Sequence, residues 1–198
     1  MVLSSAARPF VLLDQSYPPV DPFGNRCLGL SKVHAARHDG NETGDAMTSE
    51  IHAGGCQCGA VRYETEGEPA RAAVCHCRYC QTRTGSAFGI SIYFPSEAVT
   101  ILSGDLKDYA FTTESGGSFT TQFCTTCGTS VFWTLSEFPG LIGIAGGTFD
   151  PPTFWYDMKR EVFTRSKAPF LHLDVADSFE TSTVHAPVEI EPPHLRGG

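Results

Sequence analysis

Seven of the chain's eight cysteines fall into three tight groups, and this grouping restricts the possible folds more than any other feature. Cys56 and Cys58 form C-x-C, Cys75, Cys77 and Cys80 form C-x-C-x-x-C, and Cys124 and Cys127 form C-x-x-C; Cys27 stands alone and reads as a bystander. Thiols two or three residues apart are poorly placed to cross-link but well placed to share an ion, so the spacing points to metal rather than disulfides. The opening MVLSSAARPFVLLDQ has an apolar patch too short for a secretory signal. A reducing, cytoplasmic setting is therefore expected, one that keeps thiols free for metal. Arg8, Arg26, Lys32 and Arg37 would suit an organellar presequence, but Asp14 and Asp21 lie among them, and such peptides avoid acids.

In C-x-x-C-G, two thiolates grip one ion while the glycine, Gly128, takes a left-handed turn. The pair needs a partner. Cys56 and Cys58 supply it, because residues i and i+2 of an extended segment face the same way. Four thiolates make a closed set, and closed sets are structural. Cys75, Cys77 and Cys80 then remain as three thiolates with no obvious fourth protein ligand, the arrangement of a catalytic zinc whose open position takes water or a substrate sulfur. His76 would point away from its two neighbours in an extended C-H-C segment. Thiolate-only sets favour zinc, giving two Zn2+ per chain. The alternative is that both ions only staple a small β domain.

The rest of the chain fits such a domain. At 198 residues, with 41% hydrophobic and 18% charged residues, it is long enough for one core and too apolar for a disordered chain. Twenty glycines and 13 prolines punctuate it too often for a helical bundle. Segments 60–64, 86–94, 99–102, 106–112, 118–123, 130–134 and 141–145 read as strands, predicting a mainly β, antiparallel domain over 48–175. Residues 1–47 read as a flexible extension, with Met47 a possible alternative start, and 176–198 as an acidic, Pro-containing, solvated tail. Fourteen basic against 22 acidic residues give a formal charge of -8, which argues against nucleic acid or an anionic membrane as partner. No apolar run reaches the roughly 20 residues that cross a bilayer.

At GGCQCGAVRYE, CHCRYCQTRTGSAFG and FCTTCGTSVFW the chain resembles the glutathione-dependent formaldehyde-activating enzyme family, which includes centromere protein V. The resemblance runs over about residues 50–172 and takes in GGTFDPP. It implies an all-β fold shared with a zinc-binding Rab-GTPase chaperone. It also implies Cys56, Cys58, Cys124 and Cys127 as the structural zinc set, and Cys75, Cys77 and Cys80 as the catalytic set. The implied activity is addition of glutathione, as co-substrate, to formaldehyde, giving S-hydroxymethylglutathione, a carbon-sulfur lyase reaction with a thiolate delivered at the three-cysteine zinc. The partners would then be a small thiol and a small aldehyde. Two other readings stay open: an enzyme acting on a different glutathione conjugate, and a non-catalytic zinc-stapled interaction module. Arg78 and Arg83 flank Cys80 and either pair with glutathione carboxylates or are ordinary surface arginines. In KREVFTRSKAPFLHL the chain departs from the family, with Glu161, Phe163 and Phe170 where a histidine and other aromatics are common. Trp133 and Trp155 either line a pocket or pack in the core, the commoner job for aromatics in strands, and His52 and His172 are candidate proton carriers that no spacing ties to the second zinc.

Overall fold

The computed structural model describes residues 50–188 and 194. The extension 1–47, with Cys27 and Met47, and the end of the tail lie outside the described residues. In chain order the elements are β1 (Ile51–Gly55), β2 (Arg62–Glu66), β3 (Arg71–Cys75), α1 (Arg78–Thr84), β4 (Gly89–Pro95), β5 (Val99–Ser103), β6 (Leu106–Thr112), β7 (Ser118–Cys124), β8 (Ser130–Leu135), β9 (Leu141–Ala145), β10 (Arg160–Val162) and β11 (Asp177–Ser178). All seven segments read as strands are strands, β2 and β4 beginning two or three residues later than expected. Among the described residues no helix is long and apolar enough to cross a membrane.

Three strands form one sheet in the order β1-β2-β5, and eight form another in the order β11-β10-β3-β4-β9-β8-β7-β6. Pairing is antiparallel except at β10, which runs parallel to both β3 and β11. The larger sheet is two-faced because side chains alternate along each strand. Ala72, Ile92, Phe94, Phe132 and Ile144 turn to one face and pack with Val61 and Tyr63 of the β2 region in the hydrophobic core. Each large side chain fully buried there contributes about 1.5–3 kcal/mol. Arg71, Ala73, Cys75, Ser91, Tyr93, Phe119 and Thr121 turn to the other face, which lines a cavity of about 710 Å3. β4 serves both faces, and its near-continuous apolar run Ile-Ser-Ile-Tyr-Phe is what a central strand covered on both sides requires. The edge strand β6 carries Lys107 and Asp108, charges that discourage further pairing.

The segment read as a solvated tail joins the sheet through Asp177–Ser178, and Ser182, Val184 and His185 line the cavity. It is tied down at Glu114, which accepts from Arg165 at 2.7 Å, meets His185 Nδ1 at 3.2 Å and offers its backbone carbonyl to Val188 N–H at 2.9 Å. Backbone pairing explains why hydropathy missed it, since the pairing does not depend on side-chain pattern.

One glycine connects the fold to the cavity. Gly143 lies opposite Trp133 in the β8–β9 ladder, and a Cβ there would sit 2.1 Å from Trp133 Nε1. Its bareness lets the indole lie flat across β9 and donate to the Tyr93 hydroxyl at 3.1 Å. Gly143→Ala is therefore expected to cost about 1–3 kcal/mol through overpacking. A drop of several degrees in thermal midpoint, with a shifted tryptophan emission maximum, would bear this out; an unchanged melt would show that Trp133 moves aside freely.

Candidate metal centres and the arginine-lined cavity

Two turns carry the four-cysteine group. Cys56 follows β1, and the chain folds back with Gly59 N–H on the Cys56 carbonyl at 3.0 Å. Cys124 ends β7, and Gly128 N–H reaches the Cys124 carbonyl at 2.9 Å. Gly59 (φ 76°) and Gly128 (φ 75°) both adopt the left-handed conformation, and nothing lies within 4 Å of a Cβ at either, so backbone angle alone demands glycine. The four Sγ atoms lie within 4.8 Å of one another, with Cys56–Cys58 at 3.4 Å and Cys58–Cys124 at 3.8 Å. Around a tetrahedral ion with metal–sulfur bonds of about 2.3 Å, sulfurs sit roughly 3.8 Å apart, so this set fits one ion. A disulfide would need about 2.05 Å. Val61 N–H donates to Cys56 Sγ at 3.2 Å and Thr126 N–H to Cys124 Sγ at 3.4 Å, as thiolates prefer. Without an ion the four cannot all ionise. Hydrogen bonds from Thr129 hold Cys127 down at about 5. The Ala60 amide favours the Cys58 thiolate, but the neighbouring sulfurs, Cys56 foremost, outweigh it and push that thiol up to about 12.

The three-cysteine group is built differently. Cys75 ends β3 on the cavity face, Cys77 caps α1 and Cys80 lies one turn into that helix. The extended C-H-C segment expected at Cys75–Cys77 gives way after Cys77 to a helix that the strand pattern did not anticipate, and the C-x-x-C spacing is one helical turn, which brings Cys77 and Cys80 to the same side. Cys75 and Cys77 Sγ are 3.4 Å apart, and all three sulfurs lie within 4.8 Å of each other. Cys75 is pushed up by its hydrogen bonds with Cys77 and Cys80 and by burial. Cys80 is held well down by hydrogen bonds from Cys75 and Cys77, with the Arg83 charge assisting against desolvation. His76 faces away as expected: it is wholly buried, and its Nε2 donates to Glu161 Oε2 at 2.9 Å. Glu161, singled out in the sequence only as a departure from the family, also accepts from Lys167 Nζ and from Ser178 Oγ, each at 3.0 Å.

Only the three-cysteine group lines the 710 Å3 cavity; the four-cysteine group does not. Arg78 and Arg83 line it as well, joined by Arg71, Arg160 and Arg165. Five of the chain's ten arginines thus converge on one cavity in a chain of net charge -8. Arg165 is paired with Glu114, whereas among the described residues no carboxylate pairs with the other four. Arg78 donates to Gln81 Oε1 at 2.9 Å, Arg71 lies 4.6 Å from the Phe138 ring centroid and Arg83 lies 4.1 Å from that of Trp133. The Nε atoms of Arg83 and Arg160 are buried without a hydrogen-bond partner. The three arginines missed in the sequence come from β3, β10 and the turn after it, and no local spacing links them. His52 is stacked on Trp155 at 3.3 Å, His172 is exposed, and neither lines the cavity. Trp155 packs against the core, while Trp133 is buried and lines the cavity, so the two tryptophans divide between the two roles open to them.

A crystal structure of a Rhodobacter sphaeroides protein is 25% identical to this chain, covering 50% of it and 88% of that protein, with a TM-score of 0.42. The family model described as glutathione-dependent formaldehyde-activating enzyme matches residues 51–166, a span that contains all seven clustered cysteines and both β-sheets apart from β11, and the chain belongs to that family.

Proposed function

We propose that the cavity binds glutathione or a similar acidic thiol beside Cys75, Cys77 and Cys80 and adds it to formaldehyde or another small electrophile, a carbon-sulfur lyase-type reaction. The observation that carries this reading is the opening of the three-cysteine group onto a cavity with four arginines that, among the described residues, lack carboxylate partners. Cys56, Cys58, Cys124 and Cys127 would hold one zinc ion and Cys75, Cys77 and Cys80 a second; bound there, zinc would lower the pKa of an approaching thiol. Arg78 and Arg83, with Arg71 and Arg160, bind the two carboxylates and so fix where the thiol sulfur lies. Glu161 holds His76 on the far face, keeping the Cys75–Cys77 segment in register against β10. Addition forms one C–S bond; the carbonyl electron pair moves to oxygen, which receives the proton that left the thiol. No protein nucleophile is consumed.

The test is two-dimensional exchange NMR of formaldehyde and glutathione at equilibrium, with zinc-loaded protein, with Cys77→Ala and with none. Acceleration by the wild type alone is expected, and it should fail with cysteamine, which lacks carboxylates. No acceleration by protein shown to hold both ions would remove this substrate pair and favour an interaction module or another conjugate.

A further inference from the structure

The cavity's lining is more aromatic than an acidic tripeptide thiol and a one-carbon aldehyde together explain. At about 710 Å3 the cavity lies within the range of pockets that enclose drug-sized ligands, roughly 300–1,000 Å3. Formaldehyde has two heavy atoms and is hardly larger than the roughly 30 Å3 occupied by a water molecule. Along the cavity runs a wall of four near-parallel rings. Tyr79 on α1 stacks on Phe111 of β6 at 4.9 Å and 14°, Phe111 on Phe119 of β7 at 5.0 Å and 16°, and Phe119 on Trp133 of β8 at 6.3 Å and 19°. The Arg83 guanidinium closes the stack over Trp133, three residues from Cys80. All five side chains line the cavity, and Phe111 and Phe119 are only half-buried, so the middle of the stack faces it.

The wall is built into the sheet. Phe111 and Phe119 are register partners in the β6–β7 ladder, and Trp133 lies flat only because Gly143 has no side chain. An acidic tripeptide thiol uses the arginines but has no ring to lay against this surface.

Resting on the proposal that an acidic thiol occupies the arginines, we infer that the cavity is a site for glutathione-type conjugates whose sulfur substituent is an aromatic or similarly bulky apolar group. The electrophile added at sulfur would correspondingly be an aldehyde carrying such a group. The chemistry balances as for formaldehyde: one C–S bond forms, the thiol proton ends on the former carbonyl oxygen, and nothing is oxidised or reduced.

Calorimetric titration of the zinc-loaded full-length protein with glutathione, S-methylglutathione and S-benzylglutathione tests this. S-Benzylglutathione should bind about ten- to a hundredfold more tightly than S-methylglutathione, from the apolar area that its ring buries. Phe111→Ala, near the sheet edge, should abolish that preference while leaving S-methylglutathione affinity within about twofold, and Phe111→Leu serves if the alanine variant does not fold. Equal affinity of the benzyl and methyl conjugates, with glutathione bound, would overturn this inference and leave the proposed function standing. Failure of all three to bind would overturn both.

Discussion

Cys124→Ala is expected to leave the described domain without a cooperative thermal transition. Cys124 is 1% exposed, ends β7 and belongs to the closed set of four sulfurs. A structural zinc contributes apparent binding energy of about 10–16 kcal/mol, which is also folding energy because the unfolded chain offers no such site. Small domains retain only about 5–15 kcal/mol of net stability, so losing the ion removes most or all of it. The three sulfurs left behind also lose the neighbour that completes their geometry. Circular dichroism on heating, with zinc determined by elemental mass spectrometry, gives the readout.

The contrast with Cys77→Ala makes the result specific. Cys77 is half-buried and lines the cavity, and its sulfur belongs to the set of three. That variant should stay folded and hold one ion instead of two, with its midpoint within a few degrees of wild type. If Cys124→Ala melts cooperatively near the wild-type temperature, the four-cysteine set is not what holds the domain together. If both variants unfold alike, both sets are structural, and the division of labour proposed for them fails.

Much of this was legible from residue spacing. The two metal-competent groups assemble with the partition that C-x-C, C-x-x-C and C-x-C-x-x-C implied, because ligand spacing is local and the turns that present it need only glycine at Gly59 and Gly128. Strands with an alternating or continuous apolar pattern, β4 through β9, were legible for the same reason. β3 was not: Arg-Ala-Ala-Val-Cys is short and small, and it is a strand because β4 pairs along its whole length. β10 and β11 span three and two residues and pair in parallel with partners distant in sequence, which no local pattern encodes. The cavity arginines are a tertiary fact of the same kind. Arg71 and Arg160 line one cavity because β3 and β10 are neighbours, while His76, just after β3, meets Glu161 of β10 away from that cavity.

That last pairing yields the second large expected effect. Glu161→Ala would leave His76, which is wholly buried, and Lys167, whose side chain is 20% exposed, without their shared partner. Breaking a buried ion pair by removing one member costs about 3–5 kcal/mol, because the other charge stays behind uncompensated. At about 2–4 °C per kcal/mol for a chain of this size, the midpoint should fall by roughly 10 °C. Because His76 lies between Cys75 and Cys77, zinc content should drop toward one ion per chain as the three-cysteine set loosens. The pH dependence has a definite sign. Burial alone would raise the Glu161 carboxyl, but hydrogen bonds from Lys167, His76 and Ser178 outweigh it and hold the group below its ordinary 4.5. A carboxylate depressed in the folded state stabilises above its unfolded value and loses that contribution as pH falls through the folded one. The gap in midpoint between wild type and Glu161→Gln should therefore be full at pH 7 and shrink progressively below pH 4.5. A gap that persists undiminished into acid would mean that Glu161 acts through its shape and neutral hydrogen bonds rather than through its charge.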